Sequence, residues 1–77
     1  MSRILYVLDY LSHNTDAEKG ATLKEIQAYL LNQTNLGAVS VLSIKRDIER
    51  LDTIGYTVGV RKGAHNTAYY YMKERGF

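Results

Sequence analysis

The sequence of 77 residues predicts a single, mainly helical domain that ends in a small β-hairpin, and we assign residues 1–77 to it. Three segments carry apolar residues at the three- and four-residue spacing of amphipathic helices. The last part of the chain instead has two short runs rich in β-branched and aromatic residues, separated by turn-forming residues. A domain this small has a thin core, so we expect a binding surface and not a deep catalytic cleft.

The first helix is predicted over residues 2–12. Its apolar stripe has the spacing i, i+3, i+4, i+7 and consists of Ile4, Val7, Leu8 and Leu11. The stretch that follows, "SHNTDAEKGA", is polar, has no period and contains a glycine, so it predicts a loop.

The second helix begins at a capping box. Thr22 and Glu25 in "TLKE" have the spacing at which the threonine oxygen accepts the Glu25 N–H while the glutamate side chain reaches back. The apolar stripe behind this box consists of Leu23, Ile26 and Leu30. The pattern continues to about Asn32, and the segment "NQTNLGA" then predicts a turn.

The third helix is predicted from Ser40 to just before Gly55, because glycine suits the left-handed position that ends a helix. At about 100° per residue, one face collects Val41, Ile44, Ile48 and Leu51. The opposite face collects Leu42, Arg46, Glu49 and Arg50, with Ser43 and Lys45 at its flanks. Asp47 lies nearer the buried face, where we expect it to orient a basic side chain or to cap a neighbour.

The segments "YTVGVR" and "AYYYM" predict two strands, and "KGAHNT" between them predicts their turn. Three helices followed by a two-stranded hairpin in so short a chain is the order of a winged helix-turn-helix. In that fold the second and third helices form the helix-turn-helix, and the third helix enters the major groove of DNA.

The outward face of the third helix carries the residue types that such a role needs. Arg46 can donate a fork to a guanine edge, and Lys45 and Arg50 can reach phosphates. Leu42 suits a thymine methyl group, and Ser43 is small enough for close approach. The predicted recognition-helix site is Ser40, Leu42, Ser43, Lys45, Arg46 and Arg50. The predicted site on the hairpin, near residues 59–68, is Arg61, Lys62 and His65.

Charge is distributed unevenly along the chain, although the formal net charge is only +2. Residues 1–36 carry three bases and four acids, for −1, whereas residues 37–77 carry seven bases and four acids, for +3. A basic excess in the half that holds the third helix and the hairpin favours contact with a polyanion there.

The chain resembles the N-terminal winged-helix domain of bacterial transcriptional regulators that carry a C-terminal WYL domain. The resemblance rests on "RILYVLDYL", "ATLKEIQAYL", "VSVLSIKRDIERLDTIGY" and "AYYY", which together cover most of the chain. The pattern S-x-x-S-I-x-R-D-I-x-x-L-x-x-x-G-Y, from Ser40 to Tyr56, is similar to the recognition-helix signature of that family. Many relatives have basic residues directly after the serine, where this chain has Val41 and Leu42.

The resemblance implies sequence-specific binding of double-stranded DNA in the bacterial cytoplasm. In that family a larger C-terminal part senses ligands, and the ending "YYYMKERGF" resembles the point at which a longer protein continues. We therefore expect this domain alone to be monomeric or weakly dimeric. Tight binding would come from homodimerisation through that C-terminal region, which lies beyond this sequence.

Two other binding functions stay open. The low net charge, with Val39 and Leu42 outward, would also suit a winged-helix module for protein interaction or dimerisation without direct DNA binding. The second is suggested by a run of tyrosines, Tyr69 to Tyr71, whose rings could bind single-stranded nucleic acid by stacking on its bases. Since alternation puts only one or two of the three on a shared face, core packing is the better interpretation for this run. Tyr6, Tyr10 and Tyr29 at helical spacing predict positions at the rim of the core.

Chemistry of other kinds has little support in the sequence. There is no cysteine, His13 and His65 have no second ligand at metal spacing, and no nucleophile–base pair or phosphate-binding loop is recognisable. We predict no enzymatic activity, no metal and no cofactor. The apolar run "ILYVL" is too short to span a membrane, so we expect a soluble protein without membrane contact.

Overall fold

The computed structural model describes residues 2–73 and confirms the predicted order of three helices and a hairpin. The elements are α1 (Arg3–Asn14), α2 (Leu23–Gln33), α3 (Val41–Thr53), β1 (Val58–Lys62) and β2 (Ala68–Met72). A short turn, Ala64–Asn66, separates the two antiparallel strands. The layout is that of a winged helix, mainly helical with a two-stranded wing. Within the described residues, no helix has the length and apolar character needed to cross a membrane.

One core joins the three helices and the hairpin. The buried apolar residues are Val7, Leu11, Ala21, Ile26, Leu30, Ile44, Ile48, Leu51, Tyr70 and Met72. Each predicted helical stripe contributes to this core, with Ile4, Leu8 and Leu23 packed around it. Val41 was predicted on the buried face of α3 but is 37% exposed. It is the first residue of α3, where the helix axis has carried the side chain past the edge of the core.

α1 extends two residues beyond its predicted end because Thr15 closes its last turn. The Thr15 N–H and hydroxyl both donate to the Leu11 carbonyl, at 3.2 Å and 2.7 Å. The same buried hydroxyl oxygen accepts the Met72 N–H of β2 at 3.0 Å. Thr15 therefore joins the end of the first helix to the last strand.

The ends of α2 and α3 follow the predicted capping chemistry. At the start of α2, Thr22 Oγ1 accepts the Glu25 N–H, and Glu25 Oε1 accepts the Thr22 N–H, each at 3.1 Å. At the end of α3, Gly55 has φ +108°. The Tyr56 N–H donates to the Leu51 carbonyl at 2.9 Å, which is the bond of a Schellman cap.

The hairpin is extended by a second backbone pairing that the sequence pattern did not predict. Ala21 and Tyr70 exchange two hydrogen bonds of 2.8 Å each, so the residue just before α2 pairs with the centre of β2. On its other side Tyr70 lies opposite Val60 of β1. β2 is therefore the central strand, held between β1 and a single residue of the α1–α2 loop.

Candidate nucleic-acid interface

The outward face of α3, made of Leu42, Arg46, Glu49 and Arg50, is exposed to solvent as predicted. Leu42 is 55% exposed, although it is a large apolar side chain. Lys45 is also exposed, at the flank that faces the hairpin, and Ser43 is half-buried at the other flank. The recognition-helix residues thus share one side of α3, opposite its buried face.

The three cations of this helix have no partner among residues 2–73. Lys45, Arg46 and Arg50 make no hydrogen bond or ion pair there, and Glu49 pairs with none of them. Pairs such as Lys45–Glu49, which the spacing allows, are therefore not formed. The positive charges remain available to a ligand, so binding an anion would break no contact within the described part of the chain.

Ser40 and Ser43 form the start of the helix. Ser40 Oγ accepts the Ser43 N–H at 3.2 Å and donates to Ser43 Oγ at 3.0 Å. Ser40 is thus the N-cap of α3, a role that satisfies one of the free N–H groups at a helix start. This cap sets where α3 begins and thereby the positions of Leu42 and Arg46 along it.

Asp47 binds a basic side chain of another helix, as its position near the core predicted. Arg3 of α1 donates from Nε to one carboxylate oxygen of Asp47 and from Nη2 to the other, the second bond being 3.2 Å long. The Asp47 side chain is 4% exposed and that of Arg3 is 39% exposed. Hydrogen bonding to Asp47 raises the pKa of Arg3 above its ordinary value. The pair ties α3 to α1 at the edge of the buried face of α3.

A hydrogen bond also fixes the approach from α2 to α3. Gln27 Nε2 in α2 donates to the Val39 carbonyl at 2.8 Å. Val39 was predicted to point outward, but it is half-buried and packs against the core. The backbone of the turn passes close to α2 at this point, which brings the Val39 side chain inward. An outward apolar surface near the start of α3 therefore consists of Val41 and Leu42.

The hairpin places its predicted site residues in two different situations. Arg61 donates to the carbonyls of Ala17 and Glu18 at 3.0 Å and 2.8 Å, so its guanidinium holds the α1–α2 loop. These bonds use two of the five guanidinium N–H donors and hold Arg61 against the loop. Lys62 and His65 are exposed, with no bonding partner among the described residues.

The tip of the hairpin turns at two residues with positive φ, His65 at 58° and Asn66 at 60°. The Thr67 N–H donates to the Ala64 carbonyl at 3.1 Å, which closes a turn of the type I′ kind. Asparagine and histidine both adopt this left-handed backbone region more often than most residues. His65 therefore projects from the end of the wing.

The tyrosines of β2 divide between the core and the outer face of the hairpin. Tyr70 is 8% exposed and belongs to the core, which confirms the core interpretation for this residue. Tyr71 and Tyr69 lie on the other face, with rings over Gly59 and Gly63 where a Cβ would collide with them. Because Tyr70 is buried, it cannot serve as a stacking platform, and the tyrosine run does not present one continuous aromatic surface.

A second tyrosine pair lies between α1 and α2. Tyr10 and Tyr29 have ring centroids 4.8 Å apart and are half-buried at the rim of the core, as predicted. Burial raises the pKa of both phenols, with smaller contributions from Glu25 at Tyr10 and from Asp9 at Tyr29. Neither tyrosine belongs to the outward face of α3, so the pair serves packing between the two helices.

The cleft between α3 and the hairpin is shallow. A groove of about 260 Å³ is lined by Lys45, Ile48, Glu49, Asp52, Val58, Val60 and Tyr70. Among the residues that the structure describes, no group of three potential metal ligands comes together. Comparison with protein-family models and with curated proteins finds no match. The proposals below therefore depend on the geometry of this chain.

Proposed function

We propose that this domain binds double-stranded DNA with sequence preference, as the DNA-reading module of a transcriptional regulator. The observation that carries the proposal is the outward face of α3, where exposed Lys45, Arg46 and Arg50 have no partner among residues 2–73. Their helix stands in the position of a recognition helix in a winged-helix layout. The unequal charge of the two halves of the chain supports the same surface.

Arg46 is the residue that we assign to base reading. It lies in the middle of the outward face, next to Leu42 one turn earlier and Arg50 one turn later. A guanidinium that has no internal partner can donate two parallel hydrogen bonds to a guanine edge. Leu42 would contact a thymine methyl group, and Lys45 and Arg50 would bind the phosphates on either side.

The wing would bind the backbone beside the groove that α3 occupies. Lys62 is the cation best placed for this contact, since it is exposed and unpaired within the described part of the chain. His65 lies at the tip and would add a hydrogen bond. Arg61 holds the α1–α2 loop and positions the wing, so its contribution to DNA binding would be indirect.

Fluorescence anisotropy with a labelled random-sequence duplex and the matching single strand tests the proposal, at about 50 and 200 mM salt. We expect duplex binding that weakens steeply with salt and is reduced in Arg46→Ala. Lys73→Ala is the matched control, because it removes an exposed cation just after β2, at the end of the hairpin opposite its tip. No duplex binding at about 50 mM salt, or equal binding by Arg46→Ala, would remove the assignment.

Sequence preference needs a separate experiment, because a random duplex reports only backbone contacts. Selection of bound duplexes from a randomised pool, followed by sequencing, should give an enriched motif for the unmodified domain. The pool selected by Arg46→Ala should lose preference at one base pair. The same motif from both proteins would show that Arg46 does not read a base.

The alternative function, a protein-interaction module, is favoured by one observation. Leu42 is 55% exposed and Val41 is 37% exposed at the start of α3, an apolar surface that a protein partner could cover. If this surface is a docking site, Leu42→Ala leaves duplex binding unchanged and weakens capture of the partner. If it contacts a thymine, Leu42→Ala changes the selected DNA motif.

A further inference from the structure

The outer edge of β1 has no strand beside it among residues 2–73. β2 has a neighbour on both sides, whereas β1 pairs with β2 alone. An unpaired edge offers its N–H and C=O groups to a further strand, and many proteins protect such an edge with proline, bulges or charges along its length. β1 is short and carries Arg61 and Lys62 at its end, but its midpoint is Val60, an aliphatic residue that is 53% exposed.

The pattern of hydrogen bonds identifies the groups that face outward. Just outside β1, Thr57 accepts from Lys73 at 2.9 Å, and Gly63 donates to Thr67 at 2.8 Å. In an antiparallel ladder, residues alternate between those that bond to the partner strand and those that point away from it. The odd-numbered residues of β1 therefore bond to β2. The backbone groups of Val58, Val60 and Lys62 point to the free edge.

The partner strand shows the same alternation. Tyr70, which lies opposite Val60, directs its N–H and C=O away from β1 and towards Ala21, with bonds of 2.8 Å. Val60 must correspondingly direct its own backbone groups away from β2. A second strand could therefore add to β1 without breaking any bond inside the hairpin.

The side chains of the same three residues lie on the face of the hairpin that looks towards α3. Val58 and Val60 line the groove between the hairpin and α3, and the charged residues of that groove are Lys45, Glu49 and Asp52. Asp52 is one residue from the end of α3, and the turn at Gly55 leads directly into β1. The acidic end of the groove is thus beside the start of the strand, while the cationic end of the strand is Lys62.

We propose that β1 pairs antiparallel with β1 of a second copy of this chain, about a two-fold axis at Val60. In this register Val60 faces the same residue of the second copy, and Val58 faces Lys62 of the second copy. Each Lys62 then approaches Asp52 of the other copy, since Asp52 lines the groove beside Val58. The strand is complementary to itself in backbone, apolar contact and charge.

Other registers are poorer. A two-fold axis at Lys62 would put two ammonium groups side by side, and an axis at Val58 would leave Lys62 beyond the paired region. An axis at Val60, the midpoint of β1, pairs the whole strand. It separates the two Lys62 ammonium groups and keeps Lys62 within the paired region. An unrelated extended peptide would need an aliphatic residue and a cation at this spacing, which the chain itself already supplies.

The pairing leaves the proposed base-reading residues free, because Leu42 and Arg46 are not among the residues that line the hairpin groove, although Lys45, a proposed phosphate ligand, does line it. It does withdraw Lys62 from phosphate contact. One strand edge and one groove form a small interface, below the size of stable complexes. We therefore expect a weak dimer whose population rises with protein concentration.

Sedimentation velocity from micromolar to millimolar protein tests this pairing, and DNA is absent from the experiment. We expect a shift from monomer to dimer as the concentration rises. Val60→Pro should abolish this shift, because proline lacks the outward N–H, whereas the hydrogen bonds between β1 and β2 do not involve that group. Val60→Thr keeps that N–H and is the matched control. A wild-type chain that stays monomeric at every concentration overturns the proposal, as does a dimer that Val60→Pro leaves unchanged.

Charge exchange provides a second test that does not depend on the folding of the proline variant. Lys62→Glu and Asp52→Lys change exposed residues, and each should weaken dimerisation by about tenfold, since each disrupts two symmetry-related pairs. The double variant Lys62→Glu/Asp52→Lys restores the pairs with reversed sign and should recover the dimer. A double variant no better than the single variants would overturn the proposed register.

Discussion

Arg3, the first residue of α1, holds Asp47 of α3 in a two-point ion pair that spans 44 positions of the chain. Asp47 follows directly after Arg46, the residue assigned to base reading, and projects about 100° away from it around the helix. The ion pair therefore sets the rotation of α3 about its own axis, and with it the direction in which Arg46 projects. In this domain, a contact from the first helix thus fixes the orientation of the third.

Loss of Arg3 should destabilise the domain. Arg3→Ala leaves the nearly buried Asp47 carboxylate without its partner, and we expect a loss of about 1–3 kcal/mol in the free energy of unfolding. The partial exposure of Arg3 favours the lower end of that range. Urea denaturation measures the change. The control Arg3→Met/Asp47→Leu removes both charges, so it should recover much of the stability, and a double variant as unstable as Arg3→Ala would contradict this explanation.

Removal of the Thr15 hydroxyl should separate the end of α1 from β2. Thr15→Val keeps the shape of the side chain but leaves the buried Met72 N–H without an acceptor, at a cost of about 1–3 kcal/mol. Thr15→Ser retains the hydroxyl and is the matched control. Thermal unfolding followed by circular dichroism compares the two, and equal melting temperatures would show that the hydroxyl bridge contributes nothing.

The two wing cations should differ in their effect on DNA binding. Lys62→Ala should reduce the slope of log K against log salt by about one unit, because it removes one phosphate contact. Arg61→Ala should instead loosen the α1–α2 loop, since it removes the bonds to Ala17 and Glu18. Anisotropy titrations and melting curves on both variants distinguish the roles. A full unit of salt slope lost in Arg61→Ala, with stability unchanged, would assign it to phosphate.

Alkaline pH should weaken the fold through the tyrosine pair. Burial raises the pKa of Tyr10 and Tyr29 above the ordinary value of 10.0, so the folded state holds their protons more tightly than the unfolded state does. Their contribution is complete below pH 10 and is lost as pH rises through the higher folded-state pKa values. Melting temperatures across this range should fall less steeply in Tyr10→Phe/Tyr29→Phe. Identical slopes would contradict the assignment.

Local patterns carried most of the fold. The helical stripes, the capping box of Thr22 and Glu25, and the glycine stop at Gly55 each depend on residues close in sequence, and each lies where it was predicted. The position of Asp47 among apolar residues on α3 also indicated a basic partner, although not which one. The assignment of the outward face of α3 to DNA stays a prediction.

Long-range contacts were beyond the reach of these patterns. The pairing of Ala21 with Tyr70 involves one residue of a loop, which has no period to detect. Arg61 donates to the backbone carbonyls of Ala17 and Glu18. Because every residue has a backbone carbonyl, the amino-acid sequence does not indicate which ones Arg61 binds. Val39 and Val41 exchanged their expected environments because helix periodicity does not describe the turn before α3.

The position of Tyr70 between Ala21 and Val60 also gives the hairpin an anchored centre and a freer tip. Ala21 holds Tyr70 by two hydrogen bonds at the middle of β2, whereas the turn residues Ala64–Asn66 lie exposed at the tip of the hairpin. Because the centre of β2 is anchored in this way, we expect bending of the wing to occur towards its tip. Amides near Tyr70 should exchange with deuterium slowly, and those around His65 quickly. The wing could thus adapt to the width of a groove without disturbing the helix beside it.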